Sequence, residues 1–326
     1  MRLLLVKTSS LGDVIHNLPV ASDIRRALPQ AEIDWVVEEN FAEIPRLHPA
    51  VSGVIPVAVR RWREAPLSAA AWREIAALRR VLRRPAGADF FAYDAVIDLQ
   101  GLVKSALVAA QARGRKFGFA APRERLAALA YDAAVDVPRR LPAVTRNRLL
   151  AAGALGYALD DLPLDYGIAA PRLRAGWLPQ RDCAVLLTAT SRADKEWPAA
   201  DWIALGAALA DRGLCCVLPG GSETERERAR RIAGGIKGAI AAPALNLADL
   251  AGLLAGARLV IGVDTGLVHL AAALGRPTVA LFCASDPALT GVLGAAPHVN
   301  LGGPRQAPKP QEVISAADRV HNIHLL

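Results

Sequence analysis

The residues best suited to chemistry stand where apolar runs give way to short polar loops. Lys7-Thr8-Ser9-Ser10-Leu11-Gly12-Asp13 follows the apolar run Leu3–Val6 and leads into a helical pattern. Ser9, Ser10 and Gly12 offer backbone amides at a helix start, which favours a bound anion. Asp13 has two readings. As a first-turn carboxylate it satisfies orphan amides and the helix dipole. As a general base it takes a proton from an acceptor hydroxyl. Amide hydrogen bonds to it would lower its pKa and weaken it as a base. The loop has one glycine where a dinucleotide fingerprint needs three, and no P-loop lysine follows. That disfavours a nicotinamide enzyme.

The second half carries a different set. Thr190-Ser191-Arg192-Ala193-Asp194-Lys195 leaves an apolar run, and its hydroxyls and ammonium suit a diphosphate. Pro219-Gly220-Gly221-Ser222-Glu223-Thr224-Glu225 follows another such run. A glutamate there can take a ribose hydroxyl pair. Equally, the segment reads as a glycine turn before a charged helix. Val263-Asp264-Thr265-Gly266-Leu267-Val268-His269 is the strongest local signal. Amides at Thr265 and Gly266 form a phosphate cradle. Asp264 suits sugar hydroxyls, and His269, about one turn in, can donate to a phosphate oxygen. Aspartic proteases need two Asp-Thr-Gly triplets in an all-β setting, whereas this one is single and set in an α/β pattern.

Charge is unevenly spread. The chain of 326 residues has a formal net charge of +8. Residues 1–160 hold 23 Lys and Arg against 16 Asp and Glu, whereas residues 161–326 hold 16 against 15. A basic first half fits an anionic partner. Eight arginines fall between 60 and 84, namely Arg60, Arg61, Arg63, Arg73, Arg79, Arg80, Arg83 and Arg84. The first three sit at the end of a candidate strand, and guanidinium forks bind carboxylates and phosphates bidentately. Trp72, Ile75, Leu78 and Leu82 form one helical stripe, read as core rather than membrane surface. Nucleic acid is disfavoured, because the arginines lack the aromatic interleaving of a single-strand platform. Cys183, Cys215, Cys216 and Cys283 show no metal spacing and read as reduced core thiols.

These loops must be positioned by strands and helices. Arg2–Lys7, Ile33–Val37, Val54–Val59 and Ala95–Leu99 read as strands in the first half, with helices Val14–Ala27, Ala70–Leu82 and Leu102–Gln111. Strands Cys183–Leu187, Leu214–Leu218, Leu259–Val263 and Thr278–Phe282 follow in the second. Helices Ala199–Ala210, Thr224–Ile232, Leu247–Leu254 and Leu267–Leu274 alternate with them. Such alternation predicts parallel sheets with helices on both faces, and so a two-domain α/β chain whose ligands bind at strand C-termini, in a cleft between the domains. The boundary is expected between about 158 and 181, where prolines and aspartates resist a continuing helix. Residues 1–165 and 166–310 form the two domains, and 311–326 a last helix returning to the first. The apolar run at the N-terminus is too short for a secretory leader, and no stretch reaches the ~18 apolar residues of a membrane span. The expected location is cytoplasmic.

Taken together, five segments resemble the lipopolysaccharide heptosyltransferase I group of glycosyltransferase family 9. They are Val6–Asp13, Trp35–Glu39, Val59–Arg63, Asp98–Ser105 and Val263–His269, in order along nearly the whole chain. The resemblance implies a GT-B fold of two Rossmann-like domains. It implies inverting, metal-independent transfer of L-glycero-D-manno-heptose from ADP-heptose to the inner Kdo of Kdo2-lipid A, with no cofactor. By this carry-over Asp13 is the catalytic base. Thr190, Ser191, Lys195, Glu225, Asp264, Thr265, Gly266 and His269 match the donor site. Lys7, Ser9, Ser10, Gly12, Arg60, Arg61, Arg63 and Gln100 match the acceptor side. The implied location is the cytoplasmic face of the inner membrane, by peripheral contact. The chain departs from the family at Thr188, Ser191, Gly220 and Cys283-Ala284-Ser285. The rival readings are a heptosyltransferase of another acceptor specificity and a non-catalytic nucleotide-sugar-binding protein.

Overall fold

The computed structural model describes residues 1–83 and 93–322. Arg84, counted above with the basic segment, lies outside them, as do residues 323–326 of the expected last helix. The chain divides into two units, Met1–Gly167 and Ile168–Leu326. That break falls within the expected boundary.

The first unit runs β1 (Arg2–Val6), α1 (Leu11–Ile15), α2 (Leu18–Ala27), β2 (Glu32–Glu38), α3 (Glu43–Arg46) and β3 (Val51–Val57). It continues with α4 (Val59–Glu64), α5 (Ala69–Arg83), β4 (Ala95–Asp98), α6 (Val103–Ala109), β5 (Arg115–Phe119), β6 (Ala133–Val135) and α7 (Ala143–Leu155). A 3-10 segment, Arg125–Ala130, bridges β5 and β6. The sheet order is β3-β2-β1-β4-β5-β6, and the pairings are parallel. Buried apolar strands such as Leu3–Val6, fully covered on both faces, are what a parallel sheet under two helix layers requires.

The second unit repeats the plan. It holds β7 (Cys183–Leu187), α8 (Ala199–Asp211), β8 (Cys215–Leu218), α9 (Glu223–Gly234), β9 (Ile240–Ala241) and α10 (Leu247–Gly256). Then come β10 (Leu259–Val263), α11 (Gly266–Ala273), β11 (Thr278–Phe282), α12 (Pro287–Thr290), β12 (His298–Gly302) and α13 (Pro310–Asn322). Its order is β12-β11-β10-β7-β8-β9, again parallel. In each sheet the strand order reverses between the first and fourth strands, β1 and β4 or β7 and β10. Ligands of doubly wound sheets bind outside strand C-termini at that reversal.

Several expectations need correction. The helix expected over Val14–Ala27 is two helices, broken at His16-Asn17, with Pro19 in the first turn of α2. The strand expected to reach Val59 stops at Val57, and Val59 begins α4. On α5, Leu78 and Leu82 are buried as expected, but Trp72 is 60% exposed. The described part of the last helix, residues 310–322, falls in the second unit. Val313, Ala316, Ala317 and Val320 of α13 complete the core of the second unit with Trp197, Trp202 and Leu205. There Trp197 and Trp202 meet edge to face at 5.0 Å, and the Trp197 indole donates to Pro308 O at 2.8 Å. The four cysteines are buried and unbridged.

The segment leading to Gly167 is fastened to the first unit. Arg148 on α7 pairs with the buried Asp23 of α2 and also donates to Leu162 O. Gly167 has φ of +64°, and a Cβ there would lie 2.3 Å from His48 Nε2, so only glycine fits.

Because α13 belongs to the second core, Val313→Ser should lower the unfolding free energy by about 2–3 kcal/mol. Urea unfolding followed by tryptophan emission checks this. A variant as stable as the parent would mean that the helix contributes nothing to that core.

Candidate active site

The first cluster forms where the loops after β1 and β4 meet. Thr8, fully buried, places its N–H and hydroxyl on Gln100 Oε1, each at 2.8 Å. Gln100 is fixed in turn by Asp98, the last residue of β4. Asp98 Oδ1 accepts from the Gln100 and Gly101 amides, and Oδ2 from the Ser105 and Tyr131 hydroxyls. Burial pushes the Asp98 carboxyl up in pKa, against the pull of these four donors. Its role is structural, as a clamp on the turn that starts α6.

Asp13 lies in the first turn of α1. Its Oδ2 accepts from the Ser10 amide at 2.9 Å and the Ser10 hydroxyl at 2.8 Å, while Oδ1 faces Lys7 Nζ at 3.6 Å. Burial raises its pKa, but Lys7 and the two Ser10 bonds outweigh it and hold the carboxyl below its ordinary value. The first-turn reading is what Oδ2 shows, accepting from Ser10 at the start of α1, while Oδ1 faces Lys7. The Ser10 amide is thus occupied by Asp13 and is not an open anion donor, contrary to the expectation from the loop.

Asp13 lines a cavity of 370 Å³ together with Lys7, Ser9, Ser10, Gln100, Arg123 and Arg146. Gly12 is not among its lining residues, nor are Arg60, Arg61 and Arg63. Arg123 and Arg146 were missed in the sequence. Their signal was weak, since they belong to elements, β5 to α7, that showed no clear period. Arg146 lies over the Phe119 ring at 5.1 Å, and its Nε is buried without a hydrogen-bond partner. A buried, unpaired guanidinium nitrogen in a pocket wall calls for an anion.

The arginines of α4 divide. Arg61 is engaged by Glu39 at 3.3 Å and Glu74 at 2.9 Å, which hold its pKa up. It is not the open anion receptor that its place in the sequence implied, because the fold brings acids from the end of β2 and from α5 onto it. Arg60 and Arg63 are exposed. With Lys7 they add positive potential around Lys104, whose ammonium donates to Ser9 Oγ at 2.7 Å. Burial lowers the Lys104 pKa, with Glu38 opposing and these cations assisting.

The second cluster forms where the loops after β7 and β10 meet. Lys195 Nζ donates to Asp264 Oδ2 at 2.6 Å, and Thr190 Oγ1 donates to Asp264 O at 3.1 Å. His269 Nε2 lies 3.8 Å from Asp264 Oδ1, and the Ser285 hydroxyl donates to Oδ2. Burial raises the Asp264 pKa, yet His269, Lys195 and Ser285 reverse the shift and hold it far below the carboxylate range. Lys195 is therefore paired rather than held out as a lone charge. Thr265 stands at the N-cap of α11 in extended geometry, and Gly266 opens the helix one residue ahead of the expected start. Ser285 was read only as a departure from the family pattern. Its place just past the end of β11 was the available signal.

Two expected donor residues stand apart from this bonded cluster. Ser191 is exposed in the loop after β7. Glu225 Oε2 accepts from the Gly221 and Ser222 amides at 2.8 and 3.0 Å, closing a capping box at the start of α9. The glycine-turn reading of that segment is what the structure shows, and Glu225 Oε1 takes no part in the cap.

Residues 76–319 match the model of Glycosyltransferase family 9 (heptosyltransferase). The chain belongs to that family. It is 46% identical over 297 residues to lipopolysaccharide heptosyltransferase 1 of Escherichia coli strain K12, covering 90% of this chain and 91% of that one. The structure of the E. coli heptosyltransferase WaaC with ADP superposes with a TM-score of 0.88 at 42% identity, covering 98% of this chain and 99% of the other. The form with ADP-2-deoxy-2-fluoro heptose gives 0.83 at 40%, covering both chains fully. The fold is GT-B, two Rossmann-like units, and the chain is a family 9 glycosyltransferase.

The Lys7 contact to Asp13 has a pH consequence. In Lys7→Gln the carboxyl loses a lowering influence, so its pKa rises and less of it is ionised at acidic pH. The acid limb of the turnover profile should then move to higher pH, as read by initial rates across the pH range. An unmoved limb would show that Asp13 does not set it.

Proposed function

We propose that this family 9 enzyme transfers L-glycero-D-manno-heptose from ADP-heptose to the inner Kdo of Kdo2-lipid A, with inversion and without a metal ion. The observation that carries this reading is a carboxylate, Asp13, on the wall of a pocket lined by Lys7, Arg123 and Arg146. A base surrounded by cations suits an acceptor sugar that is itself anionic. The relatives named above support the donor: one is a lipopolysaccharide heptosyltransferase, and two solved structures hold ADP or a fluorinated ADP-heptose.

Asp13 takes the proton of the Kdo hydroxyl, and the oxygen attacks the anomeric carbon from the face opposite ADP. The bond from that carbon to the diphosphate oxygen breaks, and ADP leaves with the electron pair. Lys195, His269 and the amides of Thr265 and Gly266 stabilise the charge that grows on the diphosphate. Thr190 and Ser191 supply hydroxyls to the same group, and Asp264 accepts sugar hydroxyls once Lys195 turns to the phosphate. Glu225 Oε1 takes the ribose. On the acceptor side, Arg60 and Arg63 extend the positive field that Arg123 and Arg146 begin. No helix among the described residues is long and apolar enough to cross a membrane. The proposed location is peripheral, on the cytoplasmic face of the inner membrane.

Asp13→Asn should reduce turnover by ~10² or more while leaving ADP-heptose affinity near the parent value. ADP release from ADP-heptose, with and without Kdo2-lipid A and in EDTA, measures this. A mutant working at the parent rate, or an absolute need for added Mg²⁺, would reject the mechanism. Arg146→Ala should raise the acceptor KM by about tenfold, with the donor KM unchanged. Equal effects on both would remove Arg146 from the acceptor pocket.

A further inference from the structure

Apart from Met1 ahead of β1, the large apolar side chains that the first unit leaves uncovered, among the described residues, lie on or next to one layer. Leu67 is 93% exposed, Trp72 60%, Leu107 63%, Leu126 69% and Leu129 85%, with Val81 at 45%. In the second unit only Leu289, among the described residues, is comparably exposed. α5 connects β3 to β4, α6 connects β4 to β5, and the Arg125–Ala130 segment connects β5 to β6. The strand order and right-handed crossovers place these three connections on the same face of the sheet. Their inner sides are spent on the core: Leu78 and Leu82 of α5 pack with Val108 and Ala109 of α6 over Val6 and Val96. Their outer sides carry the exposed residues.

Arginines stand among these apolar groups. Arg73, Arg79 and Arg80 are exposed on α5, and Arg123 and Arg125 at the 3-10 segment. Two acids among the described residues of this surface are engaged elsewhere. Glu74 holds Arg61 and the Trp62 indole, and Glu124 accepts from the Val103 amide. The surface therefore sets exposed leucine and tryptophan among exposed guanidinium groups.

We propose that the outer surface of α5, α6 and the Arg125–Ala130 segment docks on an anionic phospholipid bilayer, with the leucines and Trp72 entering the acyl boundary. Arginine heads reach lipid phosphates while the apolar groups leave water, the pattern of interfacial anchors. A second copy of the chain fits less well, because a two-fold contact would set these arginines against themselves. The inference rests on the lipid-linked acceptor proposed above. Arg123, at the edge of this surface, also lines the Asp13 pocket, so docking brings that pocket to the headgroup layer.

The test is flotation of the full chain with vesicles of phosphatidylglycerol and phosphatidylethanolamine, or of phosphatidylcholine alone, at low and high salt. The parent should float with the anionic vesicles only, and less at high salt. Leu126→Ser/Leu129→Ser should weaken that binding about tenfold. Arg79→Gln/Arg80→Gln should reduce both the anionic preference and its salt dependence. The parent's tryptophan emission should be quenched by brominated lipid, and Trp72→Phe should abolish most of that quenching. Both double variants should transfer heptose to a deacylated, water-soluble Kdo acceptor at the parent rate. Unchanged flotation of both double variants would overturn the proposal, as would a parent dimer that the leucine variant dissociates. Transfer to the soluble acceptor without vesicle binding rejects docking and leaves the reaction standing. Vesicle binding without any transfer does the reverse.

Discussion

A hydroxyl bonded across the point where strand order reverses is the contact on which the polar cluster of each unit depends. In the first unit Thr8, after β1, bonds to Gln100, after β4. In the second, Thr190, after β7, bonds to Asp264, after β10. Loops on either side of a reversal diverge, because their helices cross to opposite faces of the sheet. Divergence opens room for a ligand, and it also removes the packing that would hold the loops. One short hydrogen-bonding side chain restores the link without filling the space.

What hangs from these links differs between the units, in keeping with their charge. The first unit carries a carboxylate among cations. Asp13 is kept ionised by Lys7 and Ser10, while Lys104, Arg123 and Arg146 stand around the same loop or pocket. The second unit carries a carboxylate that is already neutralised. Asp264 is held by Lys195, His269 and Ser285 at the mouth of α11. A base needs one oxygen open to its proton donor, whereas a sugar and diphosphate site needs charges that can be re-paired when the ligand arrives. In the proposed mechanism the same residue type thus serves two purposes, set apart by its neighbours.

The excess positive charge of residues 1–160 is also divided. Arg148 is used internally on Asp23, and Arg61 on Glu39 and Glu74. Arg123 and Arg146 line the pocket, Arg83 of α5 bonds to Gln111 O, and Arg73, Arg79 and Arg80 of α5 are exposed. A single net charge for the domain thus covers at least three physical roles, and only the partners of each guanidinium tell them apart.

Sequence alone determined the parallel α/β plan and set the candidate polar loops at the ends of strands. Uninterrupted apolar runs such as Cys183–Leu187, Leu259–Val263 and Thr278–Phe282 are buried central strands, and local composition suffices to find them. It did not reveal β5, β6, β9 or β12. These lie at or toward the sheet edges, are short, charged or, in β12, broken by His298 and Asn300, and owe their extension to the neighbour they pair with. Tertiary structure also decided that Arg61 is occupied, that Glu225 caps α9, that Arg146 enters the Asp13 pocket and that α13 stays with the second core. Each of these depends on which distant residue comes within about 3 Å of a side chain, a distance that spacing along the chain does not encode.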